Sequence, residues 1–504
     1  MTSAAASTFD RFRPVTAEFS LANSAVGAPI AIMGVPFDNI TRNETLNIIH
    51  RMIESRCPHY IATANVDFLV QAQTDVELRR ILFDAHLVLC DGTPLLWASR
   101  WLGNPLPERV AGSDLVPVLL DAASAKGYRI FLLGAAEAMN RMAAENIQQQ
   151  HRDLLVVGRY SPPAAPLQDM DHDEIRRQIA LACPDILLVA FGCPKQEKWI
   201  SMNYRALGVP VCVGVGATID FLAGAVKRAP GWMQRSGLEW IWRLAQEPRR
   251  LFGRYAKGLV VFGAGIVRQI WNTRTMRNVE HHDSMQTLSV DGGAQILVMP
   301  ERLDAAAVRE SRAHWERQAK GGMMIVDLGA TKFIDSTGVG FLMRLRRLAR
   351  ETSAAFALAA VAPAVWRSIE LMRLGAFFPV GANVDDAWQI ATDSREHLHF
   401  ARTTSSGIAL QLQGELTEAT VDDALKNCVA MLADLPAGTK AAFDLSQVSF
   451  MDSAGVAVLV RLRRLVRAAA LEMEIVNPSA SVMNTLQMSG LAALLLSGPV
   501  CKSE

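Results

Sequence analysis

The stretch FIDSTGVGFLMRLRRL at residues 333–348 returns as FMDSAGVAVLVRLRRL at residues 450–465. Asp335-Ser336 becomes Asp452-Ser453, an offset of 117 residues (452 minus 335), and Leu345-Arg346-Arg347-Leu348 becomes Leu462-Arg463-Arg464-Leu465 at the same offset. Such self-similarity means that one small unit is built twice. Each copy opens on a weak strand pair, QTLSVDGGAQILVMPERLD or GIALQLQGELTEA, and continues into a helix. A strand ending in Asp follows (MMIVDLGATKFIDSTG; AAFDLSQVSFMDSAG), and a second helix is expected to open after the glycine. The copies fall near 286–398 and 402–504. A chain of 504 residues has room for two to four domains, so a larger unit must precede the repeat.

That first part alternates. Short β-branched runs at 60–66, 86–91, 129–134, 153–160, 185–192 and 209–216 predict strands. Amphipathic stretches such as VDFLVQAQTDVELRRILFDA separate them. The pattern predicts a Rossmann-like α/β domain over residues 30–226, with a parallel sheet between helices and residues 1–29 as a tail. Ligands of such sheets bind beyond the carboxyl ends of the strands. Four polar clusters lie there: Thr63-Ala64-Asn65-Val66-Asp67, Asp91-Gly92-Thr93-Pro94, Arg109 to Asp114, and Gly192 to Glu197. A crevice with donors for phosphate and one placed carboxylate suits group transfer from a nucleotide-activated donor, although each cluster alone also reads as turn chemistry.

Between 227 and 279 the composition changes. Eleven Lys or Arg face two Glu, and four of the ten Trp are here. A basic, Trp-rich amphipathic segment suits a helix lying at an anionic membrane surface; a solvated helix with core aromatics is the plainer alternative. The net charge of +1 and the lack of any reader motif argue against nucleic acid. No apolar run reaches the length of a membrane span and the N-terminus has no secretory h-region, so the expected place is the cytoplasmic side, peripheral to the membrane. The seven cysteines show no zinc spacing and read mostly as buried thiols. Asp169-Met170-Asp171-His172-Asp173 has the DxD spacing of metal-dependent transferases, but its place before a helical pattern fits acidic residues at a helix start. His281-His282-Asp283 reads as a solvated linker.

Taken in order, TAN, CDGTPLLWASRWLG, ERVAGSDL, FLLGA, AFGCPKQEKWI and VGVGATIDFLAGAVKRAPGWMQRSGLEWIWRLAQEPRRL resemble the WecG/TagA/CpsF family of bacterial glycosyltransferases over roughly residues 30–275. The resemblance implies an inverting, metal-independent transferase needing no cofactor. It would move N-acetylmannosamine, its uronic acid or a related hexose from a UDP-sugar to a polyprenyl-diphosphate-linked sugar in surface polysaccharide synthesis. By motif, Asp91 becomes the general base, Thr63 and Asn65 pocket residues, and Arg109 and Gln196 contacts to the nucleotide sugar. Without a metal, arginines must hold the leaving diphosphate, and Arg228, Arg235, Arg243, Arg249 and Arg250 are the candidates.

The repeated DLGATKFIDSTGVGF and DLSQVSFMDSAGVAV resemble STAS domains of the anti-sigma factor antagonist type. The resemblance makes Ser336 and Ser453 phosphoacceptor candidates beside a helix N-terminus, with helix N-caps as the alternative. Both modules are expected to lie outside the active site, their arginine-rich helices open to an acidic partner such as a regulatory kinase. Oligomer formation stays open. The rival whole-chain reading is a nucleotide-sugar sensor with a STAS output.

Overall fold

Strand β1 (Gly27–Ile32) pairs antiparallel with β2 (Val35–Asn39), a hairpin that lies ahead of the predicted strands. In the computed structural model, residues 27–225, 229–236, 239–246, 248–275, 286–290, 294–318, 323–352, 354–393, 399–404, 408–418, 420–432, 435–436, 438–469 and 471–496 are described. The hairpin turns on Met33-Gly34 with φ of 50° and 84°, the positive pair that a tight two-residue turn requires. Gly34 is also fixed by space, since a Cβ there would lie 2.3 Å from the carbonyl oxygen of Met372.

After α1 (Arg42–Ser55), started by the Thr41/Glu44 capping box, the chain alternates as expected. It runs through β3 (His59–Ala64), α2 (Val66–Ala72), α3 (Val76–Asp84), β4 (Leu87–Cys90), α4 (Thr93–Trp101) and α5 (Gly112–Lys126). Then come β5 (Arg129–Gly134), α6 (Glu137–Gln150), β6 (Leu155–Tyr160), α7 (His172–Ala182), β7 (Ile186–Ala190), α8 (Lys195–Leu207), β8 (Val211–Gly214) and α9 (Thr218–Leu222). Six parallel strands form one sheet in the order β4-β3-β8-β7-β5-β6. All six predicted strands are present, with ends within two residues of the expected ones. The stretch after Asn65 is two helices, because Asp75 caps α3 by accepting from Leu78 N–H at 2.9 Å.

From residue 231 the basic segment is helical where described: α10 (Gly231–Ser236), α11 (Glu239–Gln246) and α12 (Pro248–Thr275). No helix among the described residues is long and apolar enough to cross a membrane. Arg228, His281, His282, Asp283 and Cys501 lie outside the described residues, as do the side chains of Arg235, Arg243 and Arg250.

The repeat then builds two modules. The first comprises β9 (Gln286–Val290), β10 (Ala294–Val298), β11 (Arg302–Leu303), α13 (Ala305–Gln318), β12 (Met323–Asp327), β13 (Phe333–Ile334), α14 (Ser336–Glu351), β14 (Ala355–Ala359), α15 (Pro363–Leu371), β15 (Val380–Gly381) and α16 (Val384–Asp393). Its main sheet runs β15-β14-β12-β10-β9, parallel except for the β9/β10 pair. The second comprises β16 (His399–Thr404), β17 (Ile408–Leu416), α17 (Val421–Leu432), β18 (Lys440–Met451), α18 (Ser453–Ala468), β19 (Glu472–Val476), α19 (Ala480–Met488) and α20 (Ala492–Leu496), with sheet order β16-β17-β18-β19.

Two expectations are corrected here. The repeated helices open at the serine, not after the glycine, and their caps are Asp335 and Asp452. Asp335 accepts from Thr337 and Gly338 N–H at 2.8 and 2.9 Å, and Asp452 from Gly455 N–H at 2.9 Å. A carboxylate reaches free N–H groups of the first turn directly, which leaves each serine as the first helical residue. Nor is the arginine-rich face of α14 open. Arg347 lies 3.2 Å from Asp38, Arg344 3.7 Å from it, and Arg346 and Arg350 lie 3.2 and 2.8 Å from Asp84. The acidic partner is the first domain of the same chain. Apolar packing follows the charges: Phe83 meets Phe377 and Phe378 edge-on, and one buried cluster runs from Ala31 and Leu115 to Val339 and Phe341.

Candidate functional site

The carboxyl ends of β3, β4, β7 and β8 meet in one crevice. Thr63, the penultimate residue of β3, is buried and donates from its hydroxyl to Gly214 O on β8 at 3.0 Å. Asn65 caps α2, its side-chain oxygen accepting from Asp67 and Phe68 N–H at 3.0 and 3.4 Å. Asp91 follows β4 directly, and its N–H donates to Ala64 O at 2.9 Å, which sets it beside Asn65. Val110 N–H donates to Cys90 O at 2.8 Å and so brings Arg109 back over the same strand end. The start of α5 closes one side: a Cβ on Gly112 would lie 3.3 Å from Thr218 Oγ1 and 3.6 Å from Thr63 Oγ1.

Arg109 is held between two carboxylates, its guanidinium 2.7 Å from Asp114 and 2.7 Å from Glu239. Burial alone would lower its pKa. The bond to Glu239 and the charges of Asp114, Glu239 and Asp91 outweigh that and raise it. Arg109 is therefore a fixed cation next to Asp91, and Glu239 ties α11 of the basic segment to the crevice. Glu239 escapes motif reading, although a signal exists: it is one of two Glu among eleven cations between 227 and 279. A carboxylate so outnumbered has a specific partner to find.

Gln196 is placed differently from a free ligand. Its buried Oε1 accepts from Gly192 N–H at 3.2 Å and from Gly216 N–H at 3.1 Å, and its Nε2 donates to Glu197 Oε1 at 2.7 Å. It joins the β7 and β8 loops and shapes the crevice wall from behind. Burial pushes the Glu197 carboxyl up to about 7. Arg249 is exposed near the start of α12. Asp171 is spent as the cap of α7, accepting from Glu174 N–H at 3.0 Å. Burial raises the Cys90, Cys193 and Cys212 thiols, while Cys57 and Cys183 are exposed.

Polar residues gathered at the carboxyl ends of a parallel sheet between helices mark the ligand side of an α/β domain of the doubly wound class. The family model described as glycosyl transferase WecG/TagA/CpsF matches residues 30–276, and the STAS domain matches 286–387 and 400–504. The N-acetylglucosaminyldiphosphoundecaprenol N-acetyl-beta-D-mannosaminyltransferase of Bacillus subtilis (strain 168) is 34% identical over 221 residues, covering 44% of this chain and 84% of that protein. The protein of the same description from Bacillus spizizenii (strain ATCC 23059 / NRRL B-14472 / W23) is 35% identical over 193 residues, covering 38% and 72%. Among solved structures, an anti-sigma-factor antagonist (STAS) domain protein from Planctomyces limnophilus aligns with 21% of this chain and 96% of its own, at 17% identity and a TM-score of 0.20. The chain belongs to the WecG/TagA/CpsF family of glycosyltransferases and carries two STAS domains at its C-terminal side.

Proposed function

We propose that this enzyme moves an N-acetylmannosamine-type sugar from a UDP donor onto a sugar linked to polyprenyl diphosphate, at an anionic membrane surface, with inversion. The observation that carries the reading is the Asp91 carboxylate lying near enough to the fixed Arg109 at the strand ends for its charge to act on it. In a single displacement the acceptor hydroxyl attacks the anomeric carbon from the face opposite UDP. The Asp91 carboxylate takes the hydroxyl proton as the new bond forms. The departing diphosphate gains negative charge, and in this reading the arginines of the basic segment offset it, with Arg109 as the fixed cation beside Asp91. In this scheme Thr63, Asn65 and Gln196 shape the pocket, and the cationic work falls to arginines.

Helix α12 supports the membrane part. Phe252, Leu259, Val260, Val267 and Trp271 recur at helical spacing and are 64% to 74% exposed. Arg249, Lys257 and Arg268 are exposed on the same helix. Apolar residues with flanking cations suit an interfacial helix. The test is turnover of UDP-N-acetylmannosamine with a short-chain polyprenyl-diphosphate N-acetylglucosamine, with and without chelator. Product formation that survives EDTA supports the reading. Donor binding without turnover would favour a nucleotide-sugar sensor, and activity restored only by Mn²⁺ or Mg²⁺ would return the diphosphate to a metal.

A further inference from the structure

Helix α12 has two faces: the inner one packs on the transferase core beside Met33, Phe68 and Leu69, and its C-terminal part also meets the first STAS module. Phe262, Ile266 and Gln269 are buried on that inner face. The Gln269 amide is used at both ends. Its Oε1 accepts from Met33 N–H at 3.0 Å, while its Nε2 lies 2.7 Å from both Ala31 O and Ser336 Oγ. One side chain thus joins α12, the β1 hairpin and the Asp-Ser corner of the module. A turn further along, Asn272 Nδ2 donates to Ser368 Oγ at 3.0 Å. Ser336 is fully buried in this joint. Space is as restricted as the hydrogen bonding: a Cβ on Gly340, one turn into α14, would lie 2.9 Å from Ala31 N.

The second copy uses the same corner on different residues. Ser453 N–H donates to Glu77 Oε1 at 2.5 Å, and Arg80 and Arg205 of the first domain pair with Glu415 and Glu418 at 3.1 and 3.2 Å. Two repeats with unrelated surroundings thus turn the same Asp-Ser corner to the same domain.

We propose that the STAS tandem acts in cis: the Asp335-Ser336 corner is the socket for Gln269, and through it the first module braces the C-terminal part of α12 against the β1 hairpin. The partner of that corner is this chain's own transferase domain. A separate protein can reach the corner only by displacing α12. The joint itself does not depend on what the outer face meets; that role rests on the membrane reading above.

Hydrogen exchange on the full-length protein tests this without substrate or lipid, so its outcome is independent of the transferase reading. Ser336→Asp places a charge in the socket, and Gln269→Met removes its hydrogen bonds with little change of volume. Both should speed amide exchange in α12 and β1 by at least about tenfold, since each loses one or more buried hydrogen bonds, and Gln269→Met loses three. Exchange in α18 of the second module should stay at the wild-type rate. Adding Ser336→Ala to Gln269→Met should change little beyond Gln269→Met alone, because the Ser336 contact is already lost. If Ser336→Asp loosens the whole chain, the result is read in Gln269→Met, where the same localised change is required. Unchanged α12 exchange in Gln269→Met, or capture of a separate protein at Ser336 while α12 stays protected, overturns the proposal.

Discussion

Replacing Glu239 by alanine removes one of the two carboxylates on Arg109. The pair is 2.7 Å apart, with side chains 16% and 12% exposed, so water screens it only partly. A hydrogen bond to a charged group contributes about 1.5–3 kcal/mol. If that energy is expressed fully in the transition state, kcat/KM falls roughly 10- to 150-fold, since about 1.4 kcal/mol is tenfold in rate. The remaining Asp114 contact at 2.7 Å keeps Arg109 partly oriented, which favours the lower end, about 10- to 30-fold. Glu239→Gln keeps an acceptor but loses the charge, and should recover part of the loss. The assay is a double-mutant cycle with Arg109→Ala, read as kcat and KM for the UDP-sugar. If Glu239 acts by holding Arg109 and drawing α11 onto the crevice, its removal after Arg109→Ala should cost less than about threefold. Two losses that simply multiply would refute the link, and so would a Glu239→Ala enzyme with full kcat/KM.

Asp91→Asn should lower kcat by about 10²- to 10⁴-fold with UDP affinity near wild type by calorimetry; a small loss would remove Asp91 as the base. Asp38→Ala strips a counter-ion from the buried guanidinium groups of Arg344 and Arg347 and should destabilise the protein by about 3–5 kcal/mol, read from the urea midpoint. Val260→Glu with Trp271→Glu should weaken binding to anionic vesicles by at least about tenfold, and unchanged co-sedimentation would leave α12 without a membrane role. Burial first, and then the Glu77 charge, push the Asp452 carboxyl up to about 7. A pKa raised on folding stabilises fully below the unfolded value near 4 and is lost as pH rises through about 7. The wild-type protein should therefore lose more stability across that window than Asp452→Asn, and parallel profiles would show that Asp452 does not titrate there.

The first domain was legible because its order is local. Each predicted strand is a short β-branched run whose neighbours in sequence carry the helical period, so window and fold coincide, and the polar residues at the strand ends converge as parallel sheets require. Gln196 shows the limit of that reading. A motif can mark the position, but only the meeting of the β7 and β8 loops shows that both ends of its amide are already occupied. Glu239 and Arg109 are 130 residues apart, and no periodicity joins them.

The repeat was legible as a repeat; as a surface its first copy misled, whereas Arg461, Arg464 and Arg467 of α18 are exposed as expected. An arginine-rich stripe on an amphipathic helix looks solvated when read alone, because burying a cation without a counter-charge is costly. Asp38, 309 residues before Arg347, supplies that counter-charge from a hairpin outside the predicted strands. Once Asp38 and Asp84 are in place, the same arginines favour docking, and Gly340 lets α14 come against the β1 backbone. The short side chains that mark a switch corner in the sequence are also what a close helix-to-strand contact needs. Where both readings fit one stretch, the location of its counter-ions decides between an open platform and an internal joint. Here they lie in the same chain.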